Sequence, residues 1–182
     1  MGIDPFIEKD VVAQGSLIVK KSPLKDINQK FDVISFHHSF EHIPEQLETL
    51  LQAKALLKPH GKLLIRIPTT SSWAFEEYQE NWCQLDPPRH LFLHSHQSIN
   101  ILANQAHLKI SDLWCDSSEM QFIASEQYRQ GLTLLDPKSY AVNKKASSWA
   151  KNDINTFKSK TNAANAALKG DQICVVLVDS SL

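Results

Sequence analysis

Residues 31–67 constrain this chain more than any other stretch. Phe31-Asp32-Val33-Ile34-Ser35-Phe36 is β-rich and nearly all apolar, which suits a strand covered on both faces, as in parallel sheets. Pro44 fits the first turn of a following helix. Leu47, Leu50, Leu51, Ala55 and Leu57 give that helix one apolar face. Lys58-Pro59-His60-Gly61 ends it, a basic residue followed by breakers. Lys62 to Ile67 reads as the next strand. Strand, helix and strand joined by short loops form a βαβ unit, and its two strands must run parallel.

The remaining elements extend the same plan. Met1-Gly2-Ile3-Asp4-Pro5 reads as the last step of a strand entering a loop. Ile7 to Gln14 reads as a short helix stopped by Gly15, and Leu17-Ile18-Val19 as a short strand. Thr69 to His94 is a long connection rich in aromatic and polar residues, a length usually tied to function. Ser95 caps a helix running to about Ala106, and His107 to Cys115 is a strand. Val142, Ala146, Trp149, Ile154, Phe157, Ala164 and Leu168 recur at helical spacing. They predict a helix from about Lys138 to Leu168, with a break near Asn152-Asp153 and a stop at Gly170. Ile173 to Val178 is the final strand. At 182 residues the chain suits one domain, spanning 1–182, with a helical insert at about 116–169 before that strand.

Charge and cysteine content narrow the function classes. Lys and Arg number 19 against 20 Asp and Glu, and no basic stripe stands out, so nucleic acid gains no support as a partner. Cys83, Cys115 and Cys174 are odd in number and far apart. They form no metal-type spacing and no disulfide framework, and a reducing, cytoplasmic location is the simpler reading. No apolar run approaches the roughly 20 residues of a membrane span, and Met1 to Asp10 lacks the layout of a signal peptide.

Five words along the chain carry a family resemblance: "GIDP" at 2–5, "KFDVISFHHSFEHIPE" at 30–45, "LLKPHGKLLIRIP" at 56–68, "LDPPRHLFLHS" at 85–95 and "KGDQICVVL" at 169–177. In this order they resemble S-adenosylmethionine-dependent methyltransferases of the Rossmann-like class, and within it the subgroup with the "DPPRHL" segment. The resemblance implies an α/β fold with a mostly parallel sheet and an antiparallel last strand paired beside Lys109 to Cys115. It implies an enzyme that transfers a methyl group from S-adenosyl-L-methionine to a small-molecule, sugar or lipid acceptor.

The resemblance also assigns roles. Asp4 matches the acidic residue that accepts the cofactor's ribose hydroxyls; a turn aspartate before Pro5 is the competing reading. Ser22, Pro23 and Leu24 lie where the adenine contacts fall. His37, His38 and Ser39 follow the fourth family strand, where ligands sit beyond the carboxyl ends. Glu41 and His42 read more simply as residues tying down the loop before Pro44. Asp86-Pro87-Pro88-Arg89-His90 is a stiff turn. On it Asp86, Arg89 and His90 face the acceptor, joined by Trp82 as a pocket wall. His90 is the candidate general base, because a neutral imidazole can take the acceptor's proton; His38 is the second candidate catalytic residue, facing the cofactor's methionine end and the acceptor. Loop anchoring is the competing role for Arg89 and His90.

One family hallmark is absent. Glycines occur only at 2, 15, 61, 131 and 170, and none forms the Gly-rich turn that lets backbone approach the cofactor. The expectation is a sheet lacking its first strand and helix. Activity of this chain alone is then in doubt: it would be a truncated product, a non-catalytic remnant, or a subunit completed by a homodimer or partner chain. His38-Ser39-Phe40-Glu41-His42 also fits an inverted zinc-protease pattern, H-x-x-E-H. That pattern needs both histidines on one helical face, whereas these residues fall between a strand end and a helix start. No metal-ligand set is therefore assigned.

Overall fold

The computed structural model describes residues 1–12 and 18–181. In chain order its elements are β1 (Gly2–Ile3), β2 (Val11–Val12), β3 (Ile18–Lys20), β4 (Phe31–His37), α1 (Gln46–Ala55), β5 (Leu57–Pro68), α2 (Trp73–Tyr78), α3 (His96–Gln105), β6 (Leu108–Cys115), α4 (Met120–Arg129), α5 (Lys151–Ala166) and β7 (Gln172–Asp179). The main sheet has the order β4-β5-β7-β6. β4 and β5 are parallel, and β7 lies antiparallel between β5 and β6. The last strand thus inserts where expected, beside β6, with Leu63 opposite Leu177 and Leu113 opposite Val175.

Alternation in β5 buries Leu63, Ile65 and Ile67 completely. They join Leu50 and Ala53 of α1 and Ile99 and Ala103 of α3 in the main core. Ser95 caps α3 as expected: it accepts from the backbone N–H of Ser98 at 3.1 Å, and Ser98 reciprocates toward the Ser95 N–H at 2.9 Å. A second cluster, built on Tyr78, Trp82 and Phe122, sits beyond the carboxyl end of β5.

Several local expectations are corrected. β4 is covered on one face only: Ile34 and Phe36 pack on the core, while Val33 is 58% exposed and Ser35 and His37 are exposed too. It is the terminal strand of the main sheet among the described residues. The N-terminal strands form a separate sheet of order β1-β3-β2. β5 begins at Leu57 rather than Lys62. Pro59 and Gly61 do not break the chain there; they sit in an irregularity between the pairs Phe31–Leu57 and Val33–Lys62. Residues 7–12 form bends and β2 instead of a helix; Gly15 and Leu17 lie outside the described residues.

The long helix predicted over 138–168 is only α5. Ahead of it, Asp136, Ser139 and Asn143 turn their side-chain oxygens onto backbone N–H groups two or three residues on, offering the chain turns instead of helix. α4, within the expected insert, escaped the periodicity. The helix end also differs in mechanism. Leu168, with φ 56°, takes the left-handed position, whereas Gly170 is required for close approach. A Cβ there would lie 2.2 Å from Asn165 Oδ1, 2.7 Å from Ser117 Oγ and 2.9 Å from Cys115 Cβ.

Candidate active site

The carboxyl ends of β4 and β5 gather most of the sequence-predicted residues. His37 ends β4, exposed. His38 follows with φ 46°, a left-handed conformation that is uncommon outside glycine and recurs at functional sites. Its backbone N–H donates to the Arg66 carbonyl at 3.0 Å. Its Nε2 accepts from the Arg66 guanidinium at 2.8 Å, which places the ring proton on Nδ1, 3.4 Å from Glu41 Oε1. Ser39 precedes a single 3-10 turn, Phe40–His42, that buries Phe40 and Glu41.

That turn carries the segment holding His90. The Glu41 carbonyl accepts from the N–H groups of Leu91 at 2.9 Å and Phe92 at 3.3 Å. Nδ1–H of His42 donates to the Arg89 carbonyl at 2.7 Å, and Nδ1–H of His90 donates to the Gln84 carbonyl at 2.7 Å. Arg89 reaches Asp86 at 2.6 Å. Nε2 of His90 faces Asp86 Oδ2 at 3.8 Å and Glu41 Oε1 at 4.0 Å. His38, Asp86, Arg89 and His90 therefore form one neighbourhood, with Glu41 and His42 inside it.

Other expected residues lie apart. Asp4 forms a local turn, its Oδ1 accepting from the Phe6 N–H at 2.8 Å. Ser22 donates to the Pro23 carbonyl at 3.2 Å, and Leu24 packs on the main core. Trp82 is fully buried and cannot wall an open pocket; Phe75 meets it edge-on at 5.3 Å.

Three residues missed by the sequence reading, Arg66, Asp116 and Asp171, organise this edge. Arg66, from the apolar run of β5, joins His38 to Asp116, its Nε 2.7 Å from Asp116 Oδ2. Burial would raise Asp116, but hydrogen bonds from Arg66 and Gln172 outweigh it and hold the carboxyl below its usual range. Asp171, just before β7, is pushed up to about 6 by burial, partly offset by hydrogen bonds from Ser117 and Trp82. The signal for Arg66 was a lone cation inside "LLIRIP". Arg66, Asp116, Asp171 and Gln172 line a cavity of about 120 Å³. This is smaller than the roughly 300–1,000 Å³ of small-molecule sites.

A model of a family described as "Methyltransferase domain" matches residues 2–113. No curated protein matches the chain. Among solved structures, a SAM-dependent methyltransferase from Thermotoga maritima aligns with a TM-score of 0.51 at 14% identity, over 88% of this chain and 63% of that one. One from Archaeoglobus fulgidus gives 0.49 at 16% identity, over 91% and 69%. The O-methyltransferase of a Brevibacillus brevis trans-AT PKS multienzyme, in complex with S-adenosyl-L-homocysteine, gives 0.48 at 13% identity, over 90% and 49%. This chain spans under two-thirds of the Thermotoga protein and about half of the Brevibacillus one. The sheet with its antiparallel insertion is the α/β methyltransferase fold. Because the family model covers more than half of the sequence, the chain belongs to the methyltransferase-domain family, whose cofactor is S-adenosyl-L-methionine.

Proposed function

We propose that this chain provides the acceptor side of an S-adenosyl-L-methionine-dependent methyltransferase acting on a small-molecule, sugar or lipid acceptor, completed by a strand and Gly-rich turn docked along β4. The observation that carries the reading is the histidine and carboxylate cluster at the carboxyl end of β4, a strand whose other edge has no partner among the described residues. Unpaired strand edges are templates for another strand.

The residues present fit the cofactor in part. Asp4 keeps Oδ2 for a ribose hydroxyl while Oδ1 holds its turn, and His37 is exposed at the strand end. A backbone cradle of glycines is not among the described residues. Bound S-adenosyl-L-methionine would supply a sulfonium methyl for in-line transfer. The chain's own contribution is to hold the acceptor and its proton. Nε2 of His90 would take the proton from an acceptor hydroxyl, its Nδ1–H being fixed by Gln84. The resulting imidazolium would face Asp86 and Glu41. The "DPPRHL" turn thus becomes the acceptor-facing element.

A second reading, a non-catalytic methyltransferase-like subunit, is favoured by the same missing cradle. Calorimetry with S-adenosyl-L-homocysteine separates the two. The chain alone should bind weakly, with Kd above about 100 μM. The chain fused at its N-terminus to a strand and Gly-rich turn should reach the low micromolar range, a gain of about 1.4 kcal/mol for each factor of ten. Asp4→Ala should weaken the tighter binding. Micromolar binding by the unextended monomer would remove the need for a docked strand, and no binding by either form would favour the subunit reading.

A further inference from the structure

The H-x-x-E-H pattern failed as a helical zinc motif, yet the fold brings two of its residues to a histidine far along the chain. We propose that Glu41, His42 and His90 form a binding site for a divalent transition-metal ion of the zinc class. One ligand atom from each lies within 4.8 Å of the other two.

Three independent features point to a ligand. First, Glu41 is 1% exposed, and among the described residues neither carboxylate oxygen makes a hydrogen bond: Oε1 has only the longer approaches of His38 Nδ1 at 3.4 Å and His90 Nε2 at 4.0 Å. A buried carboxylate in that state is costly unless a cation compensates it. Second, both imidazoles are prepared in the manner of metal ligands. His42 and His90 each donate Nδ1–H to a backbone carbonyl, Arg89 and Gln84 respectively. This fixes the tautomer and leaves both Nε2 lone pairs free. Third, the framework is clamped, because the Glu41 carbonyl accepts from both Leu91 and Phe92. The His90 Nε2 to Glu41 Oε1 separation of 4.0 Å needs only modest contraction to the ~3.4 Å between two ligands of a tetrahedral zinc ion. The exposed His42 leaves a path in from solvent.

The donor set selects the ion. Two imidazoles and one carboxylate suit Zn²⁺, Co²⁺ or Fe²⁺ rather than Mg²⁺ or Ca²⁺, which prefer oxygen ligands. Three protein ligands leave a coordination position open, the arrangement of catalytic zinc sites. What the ion would do rests on the proposed methyl transfer: an acceptor hydroxyl bound at that position would give up its proton more easily. His90 would then be a ligand instead of the base, leaving the proton to solvent. Binding of the ion itself does not depend on that reading.

The test is Co²⁺ titration of metal-stripped, purified chain, followed by visible absorption and by competition with Zn²⁺. One equivalent should bind at micromolar Kd or tighter, with the intense visible bands of a low-coordinate Co²⁺ site. H42Q and H90Q should each weaken binding at least tenfold, while H107Q, remote from the cluster, should not. Zn²⁺ should raise the Tm of the wild type but not of E41Q, a readout that survives any change E41Q makes to basal stability. Absence of the bands, or equal affinity in H42Q and H90Q with circular dichroism unchanged, would overturn the site. Failure of cofactor binding would leave these results unaffected, and failure of metal binding would leave the calorimetry unaffected.

Discussion

The indole N–H of Trp82 donates to Asp171 Oδ2 at 3.2 Å, a buried pairing that joins residues 89 apart in sequence. It ties the long connection after β5 to the start of β7, and it explains why Trp82 belongs to the core rather than to a pocket wall.

Asp171 makes stability pH-dependent in the opposite sense to a salt-bridged carboxylate. Its folded value, pushed up to about 6 by burial, lies above the ~3.9 of an unfolded aspartate. Below about pH 4 both states hold the proton. Between about 4 and 6 only the native state holds it, so stability falls as pH rises. Above 6 the penalty is complete, on the order of 3 kcal/mol. Asp171→Asn should therefore gain on the wild type progressively from pH 4 to pH 7. Urea unfolding at each pH measures the gap, and a constant difference would refute this assignment.

The edge of β4 that has no partner among the described residues should make the isolated chain self-associate. Val33 is 58% exposed on that strand, and a lysine there places charge on an exposed sheet edge, a common guard against pairing. Sedimentation velocity should show Val33→Lys shifted toward monomer. An equally monomeric wild type would show that β4 is protected in some other way.

Gly170→Ala should destabilise the chain by about 1–3 kcal/mol, the usual cost of overpacking a filled site. The new methyl meets Cys115 Cβ and Ser117 Oγ, which are held by β6 and its following turn, as well as the Asn165 amide. Thermal unfolding should give a lower Tm by several degrees. A Tm unchanged from wild type would mean that Asn165 alone moves aside.

What could be read from the sequence was what repeats locally. β4, α1 and β5 announce themselves by a β-rich run, a helical stripe and short joints, and Ser95 marks the start of α3. The insertion of β7 beside β6 followed from the family resemblance and holds in the structure. The stretch 138–150 misled because its apolar residues keep helical spacing while Asp136, Ser139 and Asn143 cap turns. The site was only half legible. His38, Asp86 and His90 were singled out one by one, but the approach of Glu41 and His42 to His90 arises from a loop folding back on a 3-10 turn. Periodicity carries no trace of that contact. Arg66 was hidden by the strand around it.

The position of β7 sets an order of events during synthesis. β5 and β6 do not pair with each other; each is bonded to β7, which ends at Asp179. Until β7 leaves the ribosome, β5 has only β4 as a partner and β6 has none in this sheet among the described residues. The nascent chain must therefore carry an unfilled edge on β5, and later on β6 as well, until β7 follows. Half of the sheet can close only once β7 is free, and a chain stalled before Gln172 would be a product for chaperones rather than a smaller domain.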